Sequence, residues 1–241
     1  MILCVDIGNS NIVYALWNGE TFTNIQRIET SESNIEIPSK SKISQVAITS
    51  VVPSLTNYYN NYFNQSLDIS PFVVNHGNCQ IHLDVETPED VGPDRICNVY
   101  GAKEKYGCPA IVIDFGSATT YDVINEDGRF IGGAIAPGID VSANYLIQKA
   151  ALLKTAAFKF PDKVIAKSTE TNLQSGIMYG GLDSIEGMIN RIKNELKIDN
   201  IEIILTGGFS SIISGKLSIK HSLDKTITLL GLKLIFEHNQ S

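Results

Sequence analysis

Asp114-Phe115-Gly116-Ser117-Ala118-Thr119-Thr120 is entered from an apolar run, Ala110 to Ile113, and left through an aromatic and branched one, Tyr121 to Ile124. The N-terminus repeats the pattern: Ile2-Leu3-Cys4-Val5, then Asp6-Ile7-Gly8-Asn9-Ser10-Asn11, then Ile12-Val13-Tyr14. Each copy reads as buried strand, carboxylate, glycine, hydroxyl-rich turn and second strand. Glycine lets the backbone turn tightly and lets a ligand come close. Hydroxyls and free turn N–H groups can bind a phosphate, and an aspartate at the strand end can hold a cation facing it. One Asp-x-Gly turn is also what an ordinary hairpin contains. Two, each behind an apolar strand, predict a duplicated half-domain with a nucleotide cleft between the halves.

The 241 residues suffice for one large or two small domains. Hydrophobic content of 43% and charged content of 19% are those of a soluble globular protein. A net charge of −7 argues against a nucleic-acid binder, which shows a basic face. Cys4, Cys79, Cys97 and Cys108 form no CxxC pair and no zinc spacing, so reduced thiols in a cytoplasmic protein are expected. Only four apolar residues separate Met1 from Asp6, which predicts no signal peptide. No apolar run approaches the roughly 18 residues of a membrane span.

Residues 2–7 and 12–17 read as strands around the first turn, and Asn18-Gly19 as a type I′ hairpin. Thr21 to Ile28 reads as a third strand, Thr30 to Ser44 as loop with some helix, and Gln45 to Val52 as a strand ending at Pro53. Leu55, Tyr58, Tyr59, Tyr62 and Phe63 recur at helical spacing as a core face. Pro71 to Asn75 gives a short strand. Asp127-Gly128 marks a hairpin with Arg129 to Ile135 as its return strand, and Val141 to Leu153 reads as helix. Lys154 to Lys167 receives no assignment. A stripe from Leu173 to Leu196 has helical period, interrupted by Gly176, Gly180, Gly181 and Gly187. Each glycine costs about 1 kcal/mol against alanine. A second helix approaching closely, from this chain or another copy, would offset that; local kinking is the alternative. Ile201 to Thr206 is a buried strand ending at Gly207-Gly208, a turn against which an adenine and ribose can lie. Thr226 to Leu229 reads as a strand and Gly231 to His238 as a closing helix.

Thr87-Pro88-Glu89-Asp90-Val91-Gly92-Pro93-Asp94-Arg95 carries turn formers and carboxylates ahead of a helix start. An acidic helix N-terminus explains it. So does a site in which Asp94 accepts a proton and Arg95 grips an anion. Gly132 to Gly138 is a small-residue stretch open to close backbone approach. Neither a GxxxxGK[ST] loop nor a GxGxxG fingerprint nor an HExxH motif is present.

Taken in order, Asp6 to Asn11, Gly92 to Arg95, Asp114 to Thr120, Gly132 to Gly138, Thr206 to Gly208 and Thr228 to Ile235 resemble the motifs of the type III pantothenate kinases across nearly the whole chain. That family belongs to the acetate and sugar kinase, Hsc70 and actin superfamily. The resemblance implies an α/β fold of two ribonuclease-H-like halves, 1–108 and 109–241, with mixed sheets flanked by helices. It also implies transfer of the ATP γ-phosphate to the primary hydroxyl of pantothenate, the first step toward coenzyme A. Asp6, Ile7, Gly8, Asn9, Ser10, Asn11, Ile12 and Val13 would form the first ATP turn, with Asp6 holding magnesium through water. Ser117 would contact ATP, and Asp114 would bind potassium or ammonium. Asp94 would be the general base. Val85, Gly92, Pro93, Asp94 and Arg95 would hold pantothenate, joined by Thr169 from a neighbouring subunit of a homodimer that shares its active site.

The sequence departs from the family where Pro93 replaces the usual alanine, removing a backbone N–H. Ala150 to Pro161 also lacks the family's usual compact form. Two other readings remain: a non-catalytic relative acting as an accessory factor for transcription, and another small-molecule kinase or a phosphatase of the superfamily. Intact Asp6, Asp94 and Asp114 favour catalysis.

Overall fold

The computed structural model describes residues 1–31, 35–37, 40–150, 152–153 and 156–240. Two compact units make it up. One comprises Met1–Pro109, Asp122–Gly132 and Thr226–Ser241; the other comprises Ala110–Tyr121 and Gly133–Lys225.

The first sheet contains β1 (Ile2–Ile7), β2 (Asn11–Trp17), β3 (Phe22–Glu29), β4 (Gln45–Ser50) and β5 (Phe72–Val73), in the order β3-β2-β1-β4-β5. β1 pairs antiparallel with β2 and parallel with β4. Alternation along β1 sends Leu3, Val5 and Ile7 to one face, where they pack with Val46, Ile48, Tyr59 and Phe63. Tyr59 and Phe63 come from α1 (Pro53–Leu67), whose proline opens the helix where an N–H has no intrahelical partner. Two more helices of this unit pack on β1 and β4: α2 (Pro93–Tyr106) and, at the chain's end, a closing helix over Ile227–His238.

The second sheet contains β6 (Ala110–Phe115), β7 (Ala118–Ile124), β8 (Phe130–Pro137), β9 (Glu202–Gly207) and β10 (Ser222–Leu223). Its order, β8-β7-β6-β9-β10, repeats that of the first sheet position for position. Ile111, Ile113, Ile203 and Leu205 form its core with Leu182, Ile185 and Ile189. Those last three lie on α4 (Thr169–Leu196), which follows α3 (Ile139–Lys149). Ser168 caps α4 through a reciprocal box with Thr171. Three α4 side chains, Gln174, Ser175 and Tyr179, donate to the carbonyls of Ala157, Val164 and Pro161 and bind the irregular segment ahead of the helix along its flank. A short α5 (Ser210–Ser214) and α6, the closing helix (Ile227–His238), complete the chain.

Several expectations are corrected. Trp17 pairs with Phe22, so residues 18–21 form a four-residue loop rather than a two-residue type I′ turn. Asn18 Oδ1 accepts from the Glu20 and Thr21 amides, and its side chain replaces the turn that a second positive φ would have made. Thr226 to Leu229 is no strand: Thr226 stands at the N-cap position of α6 and Ile227–Leu229 begin it. Packing on α2 overrides the β-branched preference of Thr-Ile-Thr. α5 and β10 were not anticipated. α4 runs unbroken over 28 residues, and among the described residues nothing lies within 4 Å of a Cβ built at Gly176, Gly180 or Gly187. The loop expected over 30–44 includes a short 3-10 helix, Lys40–Lys42, while its residues 32–34 and 38–39 lie outside the described residues. Of the unassigned Lys154 to Lys167, residues 154–155 lie outside them too.

Candidate active site

Both Asp-x-Gly turns are built from the same three hydrogen bonds. In the first, the Gly8 amide donates to Asn11 O at 2.9 Å, the Thr30 amide to Ser10 O at 3.0 Å, and the Val51 amide to Ile7 O at 3.1 Å. In the second, the Gly116 amide donates to Ala118 O at 3.0 Å, the Gly138 amide to Ser117 O at 3.1 Å, and the Gly208 amide to Phe115 O at 2.9 Å. The donors come from corresponding places: within the turn, just after β3 or β8, and just after β4 or β9. Asn9 is the first turn's one extra residue. Each turn is thus held from the ends of the second and third strands that follow it in the chain, which rigidifies its backbone.

Within the first turn Ile7 and Ile12 are wholly buried core side chains, so these two can meet a ligand only through their backbone. Asn9 and Ser10 are exposed, and Asp6, Gly8, Asn11 and Val13 are half-buried. Asp6 stands in register with Thr49 of β4. Thr30 Oγ1 also donates to Gly8 O at 2.8 Å.

Gly92 is the N-cap of α2, and Pro93 opens the helix. Asp94 follows at the second helical position and is the acidic residue of the first turn of α2, without being its cap. Its Oδ1 accepts from the Arg95 amide at 2.8 Å. A Cβ at Gly92 would stand 2.5 Å from that same oxygen and 3.6 Å from Val51 Cγ1. Glycine is therefore needed beneath the carboxylate, and Val51 joins this turn to the first one. Burial pushes the Asp94 carboxyl above its ordinary range, against the smaller opposing pull of the Arg95 amide and charge.

Arg95 turns toward β7. Its Nε donates to Asp122 Oδ1 at 2.7 Å and its Nη2 lies 2.6 Å from the same oxygen. The Phe130 ring centroid stands 5.5 Å from Cζ. A gripping Arg95 read from the sequence is thus already ion-paired. Val85 lies beside β8: its Cγ1 would be 3.8 Å from a Cβ at Gly132, whose φ is +100°.

In the second unit, Asp114 ends β6 opposite Thr206. A Cβ at Gly207 would collide with Asp114 Oδ1 and meet Phe115 N at 2.6 Å, and Gly207 has φ +85°. The carboxylate therefore lies directly against bare backbone. A Cβ at Gly138 would stand 2.5 Å from Gly116 O and 2.7 Å from Ser117 O, the close approach expected of that small-residue stretch. Ser117 is half-buried. Thr169 is exposed at the first position of α4, and among the described residues no hydrogen bond or ion pair links it to another candidate residue. Asp122, Thr30 and Val51 were missed by the sequence reading.

The family model for type III pantothenate kinases matches residues 2–191. The chain belongs to that family. A type III pantothenate kinase of Geotalea daltonii is 35% identical over 100% of this chain and 99% of its own. One of Thermomicrobium roseum is 37% identical over 98% and 97%. Among solved structures, a Campylobacter jejuni protein described as a candidate Baf family transcriptional activator superposes with TM-score 0.66 at 19% identity, over 99% of this chain and 98% of that one. A candidate 2-dehydro-3-deoxygalactonokinase of Sinorhizobium meliloti gives 0.60 at 11%, over 99% and 96%. These two likenesses establish the two-fold repeated α/β fold. Family membership rests on the sequence matches, which run through both Asp-x-Gly turns and the Gly92–Arg95 turn.

Proposed function

We propose that this chain transfers the γ-phosphoryl group of ATP to the primary hydroxyl of pantothenate, with Asp94 as general base. The observation that carries the reading is the Asp94 carboxylate: half-buried, raised in pKa, fixed at one oxygen by the Arg95 amide and seated over Gly92. A carboxylate poised above its ordinary range accepts a hydroxyl proton more readily than a solvated one. In the half 1–108 the backbone of residues 6–13 binds nucleotide phosphate, and in the half 109–241 Ser117 contacts ATP. Val85, Gly92, Pro93 and Arg95 surround pantothenate. Pro93 stands at a helix position whose N–H is unpaired within the helix, so the proline keeps α2 intact.

Among the described residues no three His, Cys, Asp or Glu side chains lie together as a metal site. Magnesium takes few protein ligands and keeps its waters beside phosphate oxygens. Asp6 is the carboxylate that would face it through water. Asp114, whose carboxylate lies against the Gly207 backbone, is the group that would hold a hard monovalent cation, potassium or ammonium, to offset charge near the nucleotide. A coupled ADP-release assay with magnesium tests both readings. Release is expected to require pantothenate and to fall in sodium buffer. Release without pantothenate would overturn the substrate, and full activity in sodium would remove the cation from Asp114.

A homodimer sharing its active site is supported by α3 and α4. Val141, Tyr145 and Leu146 of α3 are 45%, 62% and 46% exposed, an unusual apolar display for one helix. Between α3 and α4 lies a cavity of about 620 Å³ lined by Leu146, Gly176, Ile177 and Gly181. The open glycines of α4 leave room for a facing backbone, and Thr169 at the start of α4 would serve the neighbouring subunit. Leu146→Glu is expected to give a folded monomer with little activity. Light scattering that still found a dimer would place the interface elsewhere. The four free cysteines and the acidic charge suit the cytoplasm. No helix among the described residues is long and apolar enough to cross a membrane.

A further inference from the structure

Asp122 interrupts an otherwise apolar stretch of β7, between Tyr121 and Val123, and its residue is 0% exposed. A carboxylate so placed needs a partner, and Arg95 supplies it with two contacts to a single oxygen, at 2.6 and 2.7 Å. Phe130, 5.5 Å from Cζ, bounds the guanidinium further. Two of the group's five N–H donors are thereby fixed in direction, and the Arg95 side chain is only 16% exposed. Arg95 follows Asp94 on the first turn of α2. The carboxylate that orients Arg95 also neutralises it, so what Arg95 offers a substrate is donors of set direction more than net positive charge.

We propose that Asp122 is a positioning residue for the substrate, acting through Arg95. The inference rests on the reading of Arg95 as a pantothenate contact. A purely structural Asp122 would lower thermal stability and leave substrate affinity alone. A positioning Asp122 raises the KM for pantothenate, leaves ADP binding unchanged, and does so only while Arg95 is present.

The experiment uses the full chain as Asp122→Asn, Arg95→Gln and the double variant, with KM for pantothenate, Kd for magnesium-ADP and a thermal melt measured on each. Asp122→Asn is expected to raise KM about tenfold, the scale of one charge-assisted hydrogen bond. Adding it to Arg95→Gln is expected to change KM no further. The double variant leaves no unpaired buried charge and serves as the folding control. Asp122→Glu moves the carboxylate by one methylene, keeps its charge, and should also raise KM, which answers the question if the asparagine variant does not fold. A raised KM in Arg95→Gln with wild-type KM in the Asp122 variants overturns this inference alone. Wild-type KM in Arg95→Gln overturns it together with the reading of Arg95.

Discussion

Asp94→Asn is expected to lower kcat by about 10²- to 10⁴-fold, the range of a lost general base, in a protein that melts no earlier than the wild type. The two halves of that result share a cause. Burial is the largest influence on Asp94 and raises its pKa on folding. A carboxyl with a raised folded pKa contributes stability that is fully present below its unfolded pKa and is lost as pH rises through the folded value. At neutral pH the ionised Asp94 is therefore held at a cost in stability, which asparagine removes. The melting temperature of the variant should equal or exceed that of the wild type at pH 7, and the difference should vanish in acid, where both side chains are neutral. Asparagine can keep the Oδ1 bond from the Arg95 amide, so the turn stays closed. For the wild type, the acid limb of the kcat/KM profile should lie above the ordinary aspartate range. Turnover near that of the wild type would exclude Asp94 from the chemistry.

The features legible in the sequence were local. A glycine after a strand-end aspartate, followed by hydroxyls, announces a tight turn between two strands within seven residues, and both turns stand where they were read. What holds those turns was not legible. Thr30, Val51, Gly138 and Gly208 donate to them from strands whose pairing is set by distant register, and nothing in the adjacent sequence marks them. Asp122 was hidden for the same reason: within Thr120-Tyr121-Asp122-Val123-Ile124 it reads as one polar residue in a strand, and its partner Arg95 lies 27 positions away. The Thr226–Leu229 strand failed because local β propensity says nothing about a helix waiting on the other side. Four glycines in α4 drew notice, and three of those face open space. The two that carry a tight helix crossing, Gly101 and Gly231, stand singly in their helices and gave no signal.

At that crossing the second large effect is expected. Gly231→Ala should destabilise the protein by about 3 kcal/mol, the upper part of the range for overpacking a well-packed contact. A Cβ on Gly231 would overlap Cys97 O and crowd the Cys97 carbonyl carbon and Cα, all backbone of α2. Backbone cannot rotate away as a side chain can, so α2 and α6 must part. Gly101 prevents relief by sliding, because its own missing Cβ would stand 2.7 Å from Ile227 O and 3.0 Å from Gly231 N. Thr228 Oγ1 donates to Asn98 Oδ1 at 2.7 Å in the same buried contact and would be pulled from it. Against this, alanine returns about 1 kcal/mol of helix propensity, too little to offset a backbone collision. Gly180→Ala, made in a helix position with open space, should show that propensity gain alone and melt slightly later than the wild type in a monomeric background such as Leu146→Glu. For Gly231→Ala the melting temperature should fall by roughly 6–12 °C, at the usual 2–4 °C per kcal/mol for a chain of this size. Turnover should fall as well, because Cys97 lies one helical turn beyond Asp94 and any shift of α2 moves the base from its place over Gly92. A Gly231→Ala protein that melted with the wild type would mean that α2 and α6 are not packed backbone to backbone, and the rigid support assigned to Asp94 would go with them.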